Sequence, residues 1–207
     1  MNFSLNSITR NSRVQSGGFI MGRFNRLLAL LLVSGAPLLG GAEARADIDV
    51  HLLGAGTSSS LLEGGSTSKA DSWGTGFGAL FYGRLTSSLS MRMGGITLDR
   101  QTQSTTLPSR KSLMLPLLFG YRLAPGIRLE LGGYYDYGLE SPAAGLKKSA
   151  FGGLGGLVMD IPLIPGIGLQ LGGHYSLQLN TLSSAASTEV KYSDILVTAG
   201  FRLGTGR

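Results

Sequence analysis

Apolar residues recur at every second position through most of the chain beyond residue 47. In 113–123 one face reads Leu113, Leu115, Leu117, Phe119, Tyr121 and Leu123. In 127–137 it reads Ile127, Leu129, Leu131, Gly133, Tyr135 and Tyr137, and in 167–179 Ile167, Leu169, Leu171, Gly173, Tyr175, Leu177 and Leu179. A period of two marks a strand with two unlike faces. Eight such segments can be traced, at 48–56, 73–85, 89–99, 113–123, 127–137, 149–161, 167–179 and 195–203. Two are irregular. Leu89, Met91 and Met93 share a face, but Ile96 and Leu98 have the other parity, which predicts a β-bulge at Gly94-Gly95. Segment 149–161 is apolar on both faces, so its register stays open.

The connections alternate in length. Long ones fall at 57–70, 100–110, 138–148 and 181–191, and short ones at 85–88, 123–126 and 161–166. This layout predicts an all-β, eight-stranded antiparallel transmembrane β-barrel, wound as an up-and-down meander. About 9–11 residues cross a bilayer at a tilt, and the apolar faces are that long. Charge collects on the opposite parity: Asp49, Arg84, Arg92, Arg122, Arg128, Glu130, Asp160, His174 and Arg202. An Arg facing lipid at the midplane costs about 2–4 kcal/mol, so these side chains are expected inside. Pairing of neighbouring strands predicts Arg122 with Glu130, Arg128 with Asp160, and Arg202 with Asp49 across the closing seam. An eight-stranded barrel is just filled by its side chains, so a polar network is expected rather than a wide pore. Trp73, Tyr135, Tyr137, Phe151 and Tyr192 lie towards the long-loop ends, and Phe81, Tyr121 and Phe201 towards the short-turn ends, as two aromatic girdles require.

Composition changes this picture in one place. The net charge of +6 suggests a nucleic-acid partner, but five of the 18 Lys+Arg and one of the 12 acids lie in 1–46. The remaining 13 against 11 leaves no basic stripe, so no nucleic acid is expected. Residues 1–46 read as an export signal instead. Arg23 and Arg26 precede the apolar run 27–39, and Ala44-Arg45-Ala46 supplies small residues for cleavage, with Met21 as the expected start. The domain division is therefore 1–46 signal peptide and 47–207 barrel. Cysteine is absent, which excludes disulfides and thiolate metal sites. His51 has no partner at ligand spacing, and the glycines of 74–78 sit in a strand with no helix following, so no metal, nucleotide or other cofactor is assigned.

The strand pattern, the run Leu113-Met114-Leu115-Pro116-Leu117-Leu118-Phe119-Gly120-Tyr121-Arg122-Leu123 and the closing Ala199-Gly200-Phe201-Arg202-Leu203 resemble the small outer-membrane β-barrel proteins, the OmpA/OmpX-like porin superfamily. One departure is that members usually end on an aromatic residue, whereas Phe201 is followed by six more residues. The resemblance implies a monomer in the Gram-negative outer membrane, with both termini periplasmic. Its partners would be outer-membrane lipids and the barrel assembly machinery. The role implied is structural, adhesive or narrowly conducting and not enzymatic.

Two alternatives are weighed against this. His174-Tyr175-Ser176 with Glu189 looks like the His-x-Ser arrangement of outer-membrane lipid A deacylases, where a histidine base activates a serine and an acid orients the histidine. Parity places His174 and Ser176 inside, away from acyl chains, and Glu189 in a loop, so no catalytic residue is assigned. A soluble lipocalin-like periplasmic barrel would need the broad apolar faces turned inward, and a more charged exterior than this chain supplies.

Overall fold

A computed structural model of the protein describes residues 48–63, 65–69, 72–101, 109–140, 146–183 and 189–204. The expected export signal, its cleavage after Ala46 and the start at Met21 lie outside the described residues.

Nine strands follow in order: β1 (Ile48–Glu63), β2 (Ser66–Lys69), β3 (Gly74–Arg84), β4 (Leu89–Arg100), β5 (Arg110–Ala124), β6 (Ile127–Gly138), β7 (Ser149–Ile164), β8 (Ile167–Gln178) and β9 (Val190–Leu203). Each of β3 to β8 pairs antiparallel with the next, and β1 pairs with both β3 and β9, so eight strands close into a barrel. The short β2 is a return of β1, pairing only with Ser60–Glu63. Along the seam Val50 lies opposite Leu203, so both described ends of the barrel share the short-turn rim.

Two of the three short turns are built alike. Ala124-Pro125-Gly126-Ile127 and Ile164-Pro165-Gly166-Ile167 each put proline, with its fixed φ, before a glycine at positive φ (76° and 81°). That is the chemistry of a type II turn. Each is preceded by a one-residue register shift, at Arg122/Ala124 and at Pro162/Ile164.

The faces divide as alternation predicts. Leu117, Phe119, Leu131, Leu157, Ile195 and Val197 stand exposed on the outer wall. Trp73, Tyr135, Tyr137 and Phe151 are exposed towards the long loops, and Phe81, Tyr121 and Phe201 towards the short turns. Tyr192 departs from the expected girdle, because β9 turns it into the lumen, where it is buried.

Three further expectations are corrected. β4 carries no bulge: its register runs unshifted from Ser90 opposite Arg84 to Leu98 opposite Gly76. Ile96 and Leu98 are therefore inward and buried. β7 resolves the same way, with Leu154 and Val158 inside and Phe151, Leu157 and Met159 outside. Both strands look two-sided because the lumen has an apolar layer of its own. Finally, the connection at 57–70 is mostly strand. Thr57 and Ser59 line the lumen although the stretch is polar on both faces, and β1 runs on to Glu63. β9 likewise begins at Val190 rather than at 195.

Candidate functional site: the layered lumen

Read upward from the short-turn rim, the inward residues of β4 are Arg92, Gly94, Ile96, Leu98 and Arg100, which is charge, then apolar, then charge. β7 and β9 repeat the theme, Asp160 to Leu154 and Arg202 to Leu196 to Asp194. Closing the sheet stacks these positions into three layers.

The lower layer gathers around Glu130. Arg92 donates through Nη1 to both Glu130 oxygens at 2.8 and 2.7 Å, and through Nη2 to Gln170 Oε1 at 2.8 Å. Gln170 Nε2 donates to Asp160 Oδ1 at 2.9 Å, and Arg128 pairs with the other Asp160 oxygen. His174 Nε2 lies 3.1 Å from Glu130 Oε2. Gly156 stands between Glu130 on β6 and His174 on β8 in the register. A Cβ there would come within 2.7 Å of the imidazole, so only glycine lets the two side chains meet across β7. The Arg128 guanidinium lies 4.6 Å above the Tyr82 ring, which also stacks on His51 at 5.6 Å.

The middle layer is aliphatic. Leu53, Leu80, Ile96, Leu118, Leu154 and Leu196 belong to one buried cluster. The space they line together is about 10 Å³, at the lower limit for one water.

The upper layer centres on Arg100, which is 1% exposed. Its Nε donates to Asp194 Oδ2 at 2.9 Å, and its Nη1 to Ser112 Oγ at 2.6 Å and Asp136 Oδ2 at 3.1 Å. Ser176 Oγ donates to the same Asp194 oxygen at 3.1 Å, and Arg110 lies 3.6 Å from Asp136. Above it, Leu61, Ala150, Leu182, Val190 and Tyr192 form a second apolar cluster beneath the long loops.

An interior of buried, mutually bonded charge inside an apolar wall is the layout of a barrel that spans lipid. Comparison with solved structures agrees on the fold. Outer membrane protein AlkL, solved in DMPC lipid bilayers, superposes with a TM-score of 0.54 at 10% identity, over 83% of this chain and 95% of that one. The fold is that of a small outer-membrane β-barrel. OprG of Pseudomonas aeruginosa (TM-score 0.47, 15% identity, 78% of this chain and 97% of that one) and Ail of Yersinia pestis (0.46, 14%, 76% and 99%) are also similar. No family model matches the chain, and neither does any curated protein sequence.

The lumen brings together most of the charges that parity placed inside. Arg128 with Asp160 forms as expected, and Arg202 lies 3.8 Å from Asp49 across the seam. Arg122 with Glu130 does not form. The register sets Glu130 opposite Gly120 and Arg122 opposite Arg128, so Arg122 sits one inward step nearer the turn, and Arg92 takes Glu130. The trio His174, Ser176 and Glu189 is not assembled. His174 turns to Glu130, Ser176 to Asp194, and Glu189 pairs with Lys191 at the loop end. Among the described residues no group of three His, Asp or Glu side chains is placed to hold a metal. The upper centre was the part missed from sequence. Read from sequence, Arg100 falls in the connection 100–110 and Asp194 just before the last strand, whereas β4 runs on to Arg100 and β9 begins at Val190.

Glu130→Ala is expected to lower barrel stability by about 3–5 kcal/mol, because Arg92 is left buried without its carboxylate. Urea titration in detergent micelles measures this. A wild-type midpoint would mean that water serves Arg92 in place of Glu130. The same variant should remain electrically silent in planar bilayers, since the aliphatic layer above is untouched.

Proposed function

We propose that the protein is an integral protein of the Gram-negative outer membrane with a structural or adhesive role, carried by long loops over a closed barrel. The observation behind this is the inverted polarity of the wall: Leu, Phe and Val outside, Arg, Asp and Glu inside. The short turns and both chain ends would face the periplasm, and the monomer would meet outer-membrane lipids along its apolar belt after delivery by the barrel assembly machinery. A closed lumen favours structure or adhesion over conductance, because an aliphatic constriction dewets and blocks ions. Specificity then rests with the loops. The lipocalin-like alternative is disfavoured by the same polarity, which leaves no apolar chamber for a ligand among the described residues of the lumen. An enzymatic role is disfavoured by the separate partners of His174 and Ser176.

Cell fractionation with carbonate washing should leave the mature protein in the membrane pellet. The purified barrel should show no steady current in planar bilayers. Recovery in the soluble periplasm would restore the lipocalin-like reading, and a large stable pore would contradict the closed lumen.

A further inference from the structure

The two charged layers are not balanced alike. In the upper layer Arg100 and Arg110 face Asp136 and Asp194, so the charges cancel. Among the described residues at the short-turn end, five arginines, Arg84, Arg92, Arg122, Arg128 and Arg202, share the lumen with three carboxylates, Asp49, Glu130 and Asp160. Arg92 is held by Glu130, Arg128 by Asp160, and Arg202 by Asp49. Among the described residues no carboxylate forms an ion pair with Arg84 or Arg122.

The excess has a place. A cavity of about 190 Å³ opens at the short-turn mouth, lined by Arg84, Arg122, Arg128 and Arg202 together with Tyr82 and Asp160. These guanidiniums come from four strands, and none lies on the outer wall, since all four have inward parity. A cleft with a net excess of one sign of charge between low-dielectric walls concentrates counter-ions. Guanidinium binds oxyanions through paired N–H donors, and the shape suits phosphate as well as carboxylate. Charge favours phosphate: a phosphate ester carries about −1.5 to −2 near neutral pH, matching the two arginines that no described carboxylate pairs, where a carboxylate would cancel only one.

We propose that the short-turn mouth is a binding site for a phosphate-class oxyanion, either the free ion or a phosphomonoester. Arg84 and Arg122 supply the charge, and Arg202 and Arg128 complete the rim. The aliphatic layer above stops the anion from passing through, so the site is a blind pocket and not a conduction step.

Titrate the full barrel, refolded in a non-ionic detergent, with inorganic phosphate by calorimetry. Saturable one-to-one binding that weakens with added chloride is expected. Arg84→Gln and Arg122→Gln should each weaken it by about tenfold or more, the loss of a charged hydrogen-bonding partner. Both side chains are exposed in the mouth and outside the ion-pair layers, so folding should survive; unboiled electrophoretic mobility checks this. Lys111→Gln at the opposite rim should leave binding unchanged. Absence of saturable binding to the folded wild type, or equal affinity in the double variant, overturns the proposal. Competition separates the sources. Displacement of phosphate by dihexanoyl phosphatidic acid at lower concentration assigns a lipid phosphomonoester, and failure to displace assigns a soluble oxyanion; the site stands in both cases.

Discussion

Arg100→Met should be the most damaging single change in the lumen, lowering stability by at least about 3–5 kcal/mol. Methionine keeps much of the side-chain volume but none of the charge. Asp194, wholly buried, and Asp136 would then lose their common partner, leaving Arg110, 3.6 Å from Asp136, and the Ser176 hydroxyl on Asp194. Ser112 would lose its donor as well. Urea unfolding in vesicles, followed through the single tryptophan, Trp73, measures the loss. A compensated variant separates charge from packing. Changing Arg100, Asp136 and Asp194 together to Met, Leu and Leu should recover most of the stability, because replacing a buried ionic group by apolar residues of similar volume is often neutral or better. If the triple variant is as unstable as Arg100→Met, packing around Arg100 and not its charge sets the effect.

On the outer wall, Leu117→Arg and Leu131→Arg should each reduce folding into bilayers by about 2–4 kcal/mol. Both are exposed near the middle of their strands, and Leu131 neighbours Phe119 and Gly155, so neither has a lumen route for the new charge. Leu179→Arg is the matched control. It is equally exposed but stands beyond the end of β8, where the cost of Arg falls to about 0–1 kcal/mol near the interface. Equal folding of all three in phosphatidylcholine vesicles would place the belt elsewhere on the barrel. Ser176→Ala is no silent control, since it removes a donor from the buried Asp194 carboxylate.

How much could be read from the chain depended on how unlike the two faces of each strand are. In 113–123 and 127–137 the outward residues are nearly all large and apolar, while the inward set mixes Met114, Leu118 and Tyr134 with Gly120, Arg122, Arg128, Glu130 and Asp136, so the charges alone assign each side. Parity failed at Ile96 and Leu98, where the lumen itself is apolar, and a bulge was inferred to keep them outside. Arg100 is missed for a separate reason: its strand reads as ending at 99, which leaves Arg100 in the connection 100–110. Thr57 and Ser59 failed for the opposite reason: above the lipid both faces of a strand can be polar, and such a stretch reads as a loop. The pairing of Arg92 with Glu130 depended on a different physical fact. Residues level along the barrel axis are not the register partners of adjacent strands, because closed strands tilt and stagger. Parity alone shows that a charge is inside, but only the stagger shows which charge it meets.

The seam between β1 and β9 has a kinetic consequence. Fourteen residue pairs join Val50–Glu63 to Val190–Leu203, so the first strand made is completed by the last. Until β9 arrives, the earlier strands form an open curl with two bare edges, the most aggregation-prone form a sheet can take. Both halves of the upper charge centre are then also separated, for Arg100 waits on Asp194. Such non-local closure is slow. The incomplete sheet is therefore exposed to aggregation, and the order of synthesis, with β9 last, sets how long that exposure lasts.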